Sequence, residues 1–167
     1  MAVSKKEYDI SELQQKAESY CARAEHCASE VAKKLSLWGA SPLTAKKIIE
    51  QLYEEDYLND ERYCRAYVHD KSKLNKWGQR KIGLSLRMKG LPSDCIDDAL
   101  EEIDEEEYND TLMQLLLKKM RTTKASSIYV LREKLIRFAL GRGYDMNEII
   151  ECLDINSEEL NDYLEEH

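Results

Sequence analysis

At 167 residues the chain is the size of one ordinary domain or of several small helical units sharing a core, and its net charge of −8 lacks the basic balance of a general polyanion binder. Two prolines and six glycines leave little turn chemistry for a sheet protein, while Leu, Glu, Lys, Ala and Asp dominate, so an all-α fold is expected. Five cysteines without a C-x-x-C pair argue for reduced, packed thiols against zinc, and a polar start with no run of roughly 18 apolar residues points to a cytoplasmic protein outside the membrane.

Taken in order, Ser11 with Gln14 three residues on reads as a capping box for a first helix, with Leu13, Ala17, Tyr20, Cys21 and Ala24 at helical spacing. A second helix runs from about Ala28 to Trp38, with Val31 and Leu35 on one side, and Gly39 ends it. Ser41-Pro42 supplies an N-cap and a first-turn proline for a third, whose buried face is Ala45, Ile48, Ile49 and Leu52. Asn59-Asp60 opens a fourth helix, with Tyr63, Ala66 and Tyr67 on its apolar side and Arg62 and Arg65 on its polar one. Lys76-Trp77-Gly78 breaks it from the phrase Trp77 to Leu91, a basic amphipathic helix closed by Gly90. Glu105 to Met120 begins with acids and ends with Lys118 and Lys119, the charge order a helix dipole favours, and its Leu112 to Leu117 run is the densest apolar patch. Thr122 to Ser127 is a polar loop expected to act as a flexible joint, and Ser157 caps a short acidic tail helix carrying Leu160, Tyr163 and Leu164.

Three of these phrases share one register. Counted from Gly39, Gly90 and Gly143, an apolar residue lies eight before (Val31, Ile82, Leu135), four before (Leu35, Leu86, Ala139) and six after (Ala45, Ile96, Ile149). The same holds nine after (Ile48, Ala99, Cys152) and ten after (Ile49, Leu100, Leu153). With a leading helix before each hairpin, the expected architecture is three tandem three-helix, helix-turn-helix-like repeats forming an elongated, curved stack. The boundaries read as an N-terminal extension and start of the first helix at 1–19, repeats at 20–58, 59–103 and 104–155, and an acidic tail helix at 156–167.

Charge alternates in blocks. Arg62 to Lys89 holds nine bases and one acid, Leu91 to Leu117 ten acids and no base, Lys118 to Arg142 eight bases and one acid, and Tyr144 to Glu166 nine acids and no base. Such a surface can meet an anionic partner while repelling wrong approaches. No glycine-rich phosphate loop occurs, His26, His69 and His167 are not spaced as ligands, and the acidic pairs sit in solvated runs; catalytic residues, metal ligands, cofactor and small-molecule substrate are all expected to be absent. Lys and Arg interleaved with aromatics remain as candidate contacts to phosphate or acidic protein. Tyr63 and Tyr67, one turn apart, have the pattern of a buried stripe; Trp77 either stacks on an unpaired base or covers the core between units.

The phrases Tyr57-Leu-Asn-Asp-Glu-Arg-Tyr-Cys-Arg-Ala-Tyr-Val68, Trp77-Gly-Gln-Arg-Lys-Ile82 and Leu86-Arg-Met-Lys-Gly90, with Arg23 to Val31 more weakly, resemble the RecX regulators, small bacterial proteins of three tandem three-helix units. The resemblance covers about Tyr20 to Leu153, with one departure at Cys27, where the family usually places a serine that caps the next helix with Glu30. It implies a non-enzymatic negative regulator that lodges in the groove of the RecA filament on single-stranded DNA and suppresses ATP hydrolysis, strand exchange and co-protease activity. The partner- or DNA-binding residues expected under it are Arg62, Arg65, Lys73, Lys76, Trp77, Arg80, Lys81, Arg87 and Lys89, followed by Arg132, Lys134 and Arg137. Under this reading direct binding to DNA is expected to be weak at this net charge; the alternative is a helical module that binds nucleic acid directly through Arg62 to Lys89, without RecA, tightly and with a steep salt slope, and a passive helical scaffold is the third.

Overall fold

The computed structural model describes residues 8–167, and over that span it is all-helical. Ten helices follow among the described residues: α1 (Ile10–Arg23), α2 (Ala28–Leu37), α3 (Pro42–Glu54), α4 (Asp60–Lys73), α5 (Gln79–Met88), α6 (Ser93–Glu101), α7 (Glu105–Met120), α8 (Ile128–Gly141), α9 (Met146–Ile155) and α10 (Ser157–Glu166). They form two compact units, one of residues up to Ala66 with Leu86–Ile96, the other of Tyr67–Ser85 with Asp97–His167. Each of α4, α5 and α6 contributes one part to either unit.

In the first unit α1, α2 and α3 close on Leu13, Ala17, Cys21, Val31, Leu35, Ile48 and Leu52, and Leu58 from the loop before α4 seals the same core. Each such leucine or isoleucine removed from water is worth roughly 1.5–3 kcal/mol, so this face, not helix propensity, holds the short helices. The first cap lies two residues earlier than the Ser11 and Gln14 spacing suggests: Asp9 accepts from the Glu12 amide at 2.7 Å, and Ser11 sits exposed inside the helix. Asp is as good a cap as Ser, and its charge also complements the helix dipole. Ala24 leaves the stripe because it is the C-cap, in extended conformation and exposed. Ser41 caps α3 through the Thr44 amide at 3.2 Å, and Asn59 caps α4 through Arg62 at 2.9 Å. Cys27 occupies the cap position of α2 with extended backbone but makes no side-chain cap bond.

In the second unit α7, α8, α9 and α10 enclose Leu112, Leu116, Leu131, Leu135, Ile149, Leu153 and Leu160. Through Leu160, 1% exposed, with Tyr163 and Leu164 beside it, α10 is an integral part of this core. Asn156 precedes it at the cap position and Ser157 is its first residue. The loop after α7 is anchored rather than loose. The Thr123 hydroxyl bonds the Lys119 carbonyl at 2.7 Å, Tyr163 donates to the Thr123 carbonyl at 3.1 Å, and Lys134 donates to the Lys124 carbonyl at 2.7 Å.

Of the register-matched positions, those eight and four before the glycine are buried in all three copies, while Ala45, Ile49, Leu100 and Cys152 after it are only half-buried. Val31, Ile82 and Leu135, and Leu35, Leu86 and Ala139, are all at most 1% exposed. Gly39, Gly90 and Gly143 take φ of 91°, 86° and 94°, and the residue after each glycine donates to the carbonyl five back: Ala40 to Leu35, Leu91 to Leu86 and Tyr144 to Ala139, at 2.9, 3.2 and 3.2 Å. That is the Schellman ending, in which glycine tolerates the left-handed turn that L side chains resist. The cysteine thiols are free, and burial pushes Cys21 up to about 11 and Cys64 up to about 12, so both stay protonated and unreactive.

Candidate anion-binding surface

The segment joining α4 to α5 is basic, and its backbone is fixed from several sides within the second unit. Lys76 turns through φ 57° at the break, and its carbonyl accepts from the Tyr144 hydroxyl at 3.0 Å. The Gly78 amide donates to the Arg142 carbonyl at 2.7 Å, Arg80 to the Gly143 carbonyl at 3.1 Å, and Gln79 to the Tyr108 hydroxyl oxygen at 3.1 Å. Tyr108 in turn donates to Glu148 at 3.2 Å. The amides at the start of α5, which a helix cannot satisfy internally, are thus bonded by α7 and by the turn between α8 and α9. Burial raises the Tyr108 and Tyr144 hydroxyls, Tyr144 to about 12, so both remain protonated donors at neutral pH.

That frame presents the basic side chains. Arg80 is 70% exposed and stands 3.7 Å from Asp145; Lys73 is 51% exposed and 3.3 Å from Glu107. Lys76 makes no ion pair among the described residues. Trp77 is half-buried, and the ammonium groups of Lys71 and Lys81 lie 4.7 and 4.4 Å from its ring centre. The indole therefore holds two cations over its ring. Lys71, counted in the basic block but not among the candidates, acquires this role because the chain turns back and the Trp77 amide bonds its carbonyl at 2.9 Å. Of the tyrosines, Tyr63 is buried as the stripe predicted, and Tyr67 is half-buried with its hydroxyl on Ser85.

Other candidates are engaged internally. In the first unit Arg62 is bound by the Glu25 carboxylate, by Asp56 at 3.2 Å and by the carbonyls of Asp56 and Tyr57 at 3.0 and 3.3 Å. Its hydrogen bond to Glu25 raises its already high pKa. The polar face assigned to Arg62 is thus a brace between the α1–α2 and α3–α4 connections. Arg65 and Arg87 are exposed. Lys89, half-buried, reaches Glu30 at 3.4 Å. In the second unit Arg132 pairs with Asp154 at 2.8 Å, Arg137 with Glu133 at 3.0 Å, and Lys134 is the anchor of the α7–α8 loop already described.

Glu30 gathers four donors: the Tyr63 hydroxyl, His26 at 2.7 Å, the Cys27 thiol at 3.5 Å and Lys89. Burial alone would raise its carboxyl, but these partners hold it below its ordinary 4.5. A depressed carboxyl stabilises the fold above its unfolded pKa and loses that contribution as pH falls through the folded value. Glu30→Gln is therefore expected to lower stability at pH 7 by about 1 kcal/mol and to flatten the acid limb below pH 4.5. Urea unfolding followed by circular dichroism across that range reads both effects, and parallel acid limbs in the two proteins would contradict the assignment.

Residues 59–100 match the model for the second three-helix domain of RecX, and residues 105–153 the model for its third. The regulatory protein RecX of Clostridium perfringens (strain 13 / Type A) is 39% identical over 132 residues, 76% of this chain and 61% of that protein. That of Lactobacillus johnsonii is 30% identical over 160 residues, 94% of this chain and 59% of its own length. That of Prosthecochloris aestuarii is 30% identical over 146 residues, 87% of this chain and 94% of its own. The chain thus spans about 60% of the length of the first two relatives and nearly all of the third. A crystal structure of RecX from Lactobacillus salivarius superposes with a TM-score of 0.77 at 23% identity, over 91% of this chain and 96% of that one, which establishes a common fold.

Proposed function

Since the chain belongs to the RecX family of regulatory proteins, we propose that it is a negative regulator of the RecA recombinase, seated in the groove of the RecA filament on single-stranded DNA and suppressing its ATPase, strand-exchange and co-protease activities. The observation that carries this reading is the consecutive match of residues 59–100 and 105–153 to two domains of one regulator. It is supported by the exposed cations Lys73 and Arg80, with half-buried Lys76 and Lys81, on the braced backbone that joins α4 to α5, a set that suits acidic protein or phosphate. Within it we retain repeats at 20–58, 59–103 and 104–155, so that several weak contacts, one set per repeat, add through effective concentration. The regulator acts without chemistry of its own, by binding preferentially a filament state that cannot cycle nucleotide. In an assay of ATP hydrolysis by RecA coating single-stranded DNA, rising amounts of the protein are expected to lower the rate; an unchanged rate at several-fold molar excess over filament sites would remove the proposal.

A further inference from the structure

Beyond the basic block, α1 and α2 of the first unit border an open groove of about 670 Å³ in which cations and aromatic rings alternate. Lys16, Tyr20 and Arg23 fall at i, i+4 and i+7 on α1, a spread of about 10 Å along one helix face, and Lys34 and Trp38 face them from α2 and its cap. Lys16 Nζ lies 4.3 Å from the Tyr8 ring centre and 4.8 Å from that of Trp38, and Lys34 Nζ lies 5.5 Å from that of Tyr20. Tyr20 is itself stacked on His26 at 3.7 Å and meets Trp38 edge-on at 6.3 Å. Tyr20 and Trp38 pack in part against the core, so their rings are held while still lining the groove. Among the described residues Lys16, Arg23 and Lys34 make no ion pair, and the groove is lined by a single acid, Glu12.

We propose that this groove binds single-stranded nucleic acid. Three cations without carboxylate partners supply the phosphate contacts, and the rings between them supply what an acidic peptide would not need, a surface for bases. Lys16 links the two: when its ammonium group leaves the indole for a phosphate, the Trp38 face it covered is opened to a base. The cation–π contacts keep these lysines in the groove before the strand arrives, which limits the ordering cost of binding. The site requires neither RecA nor the surface at the start of α5, so it goes beyond the regulatory reading and can fail without it.

The test uses the full chain and a short bare oligothymidylate. In a Trp77→Phe background Trp38 is the one remaining tryptophan, and the strand is expected to quench its emission. In the otherwise unchanged chain, Lys16→Ala, Arg23→Ala and Lys34→Ala together are expected to weaken strand binding at least about ten-fold in fluorescence anisotropy. They should also reduce the salt slope by about 2, the loss of three phosphate contacts on a single strand. Binding by the triple variant within about two-fold of its parent, Trp38 emission unchanged at saturation, or equal quenching by polyglutamate would each overturn the proposal. The RecA assay is independent of every one of these outcomes.

Discussion

Gly143→Ala is expected to destabilise the protein by about 3 kcal/mol or more, whereas Gly39→Ala and Gly90→Ala, at the same repeat position, should cost only about 1 kcal/mol each. All three glycines have φ near 90°, so the penalty for placing a side chain in the left-handed region is common to them. They differ in what a Cβ would meet. At Gly39 and Gly90 nothing lies within 4 Å, but at Gly143 the new atom would stand 2.3 Å from Lys81 Cβ and 2.6 Å from the Lys81 amide nitrogen. Neither neighbour is the far end of a flexible side chain, so α5 or the α8–α9 turn would have to move. Gly78 is the other half of this contact: its Cβ would fall 2.3 Å from the Gly143 carbonyl carbon and oxygen and from the Tyr144 nitrogen. Gly78→Ala should therefore rank second, at roughly 2 kcal/mol, its cost coming from overlap alone. Against a total stability of order 5–15 kcal/mol, these are large fractions. Urea unfolding of the four variants gives the ranking directly, and equal losses at Gly39 and Gly143 would show that the close backbone approach carries no energy.

The second large effect concerns activity. Lys73→Gln, Lys76→Gly, Arg80→Gln and Lys81→Gln combined should raise the amount of protein needed for half-inhibition of RecA ATPase at least about ten-fold, equivalent to about 1.4 kcal/mol of lost binding. The substitutions spare the fold for identifiable reasons. Lys73 and Arg80 lose only exposed ion pairs, which contribute little to stability. Glycine suits the Lys76 backbone at φ 57° better than lysine does, so that replacement removes charge while relieving strain. Arg62→Gln serves as the opposite control: it should lower the unfolding midpoint, because it removes the brace to Glu25 and Asp56, and leave inhibition by the folded protein largely intact. An unchanged inhibition curve for the quadruple variant would detach the α4–α5 surface from filament binding.

The periodic features were legible in the sequence because they are local. Helix α7 runs over Glu105–Met120 as its acidic first turn and basic last turn predict, and the glycine register marks three Schellman endings. What could not be read depends on residues far apart along the chain. Arg62 looks like a surface cation until Glu25, 37 positions away, is seen beside it. Trp77 offered two roles from sequence, a stacking platform or a core cover, and spacing alone did not show that Lys71 and Lys81 meet at its ring. The groove of Lys16, Arg23 and Lys34 escaped notice because its cations are dispersed among acids along the chain and collect only when α1 and α2 pack. At the first helix two good cap residues compete within three positions, and spacing alone does not choose between Asp9 and Ser11.

The bonds that complete the start of α5 also bear on how the chain is made. Lys76 receives its hydrogen bond from Tyr144, 68 positions later in synthesis, and the amides of Gly78 and Arg80 wait for the carbonyls of Arg142 and Gly143. Until those residues have left the ribosome, the amides of Gly78 and Arg80 have only water as their partner. The braced cationic segment is therefore a late product of translation, and a nascent chain carries the whole basic block before it carries the geometry that arranges it.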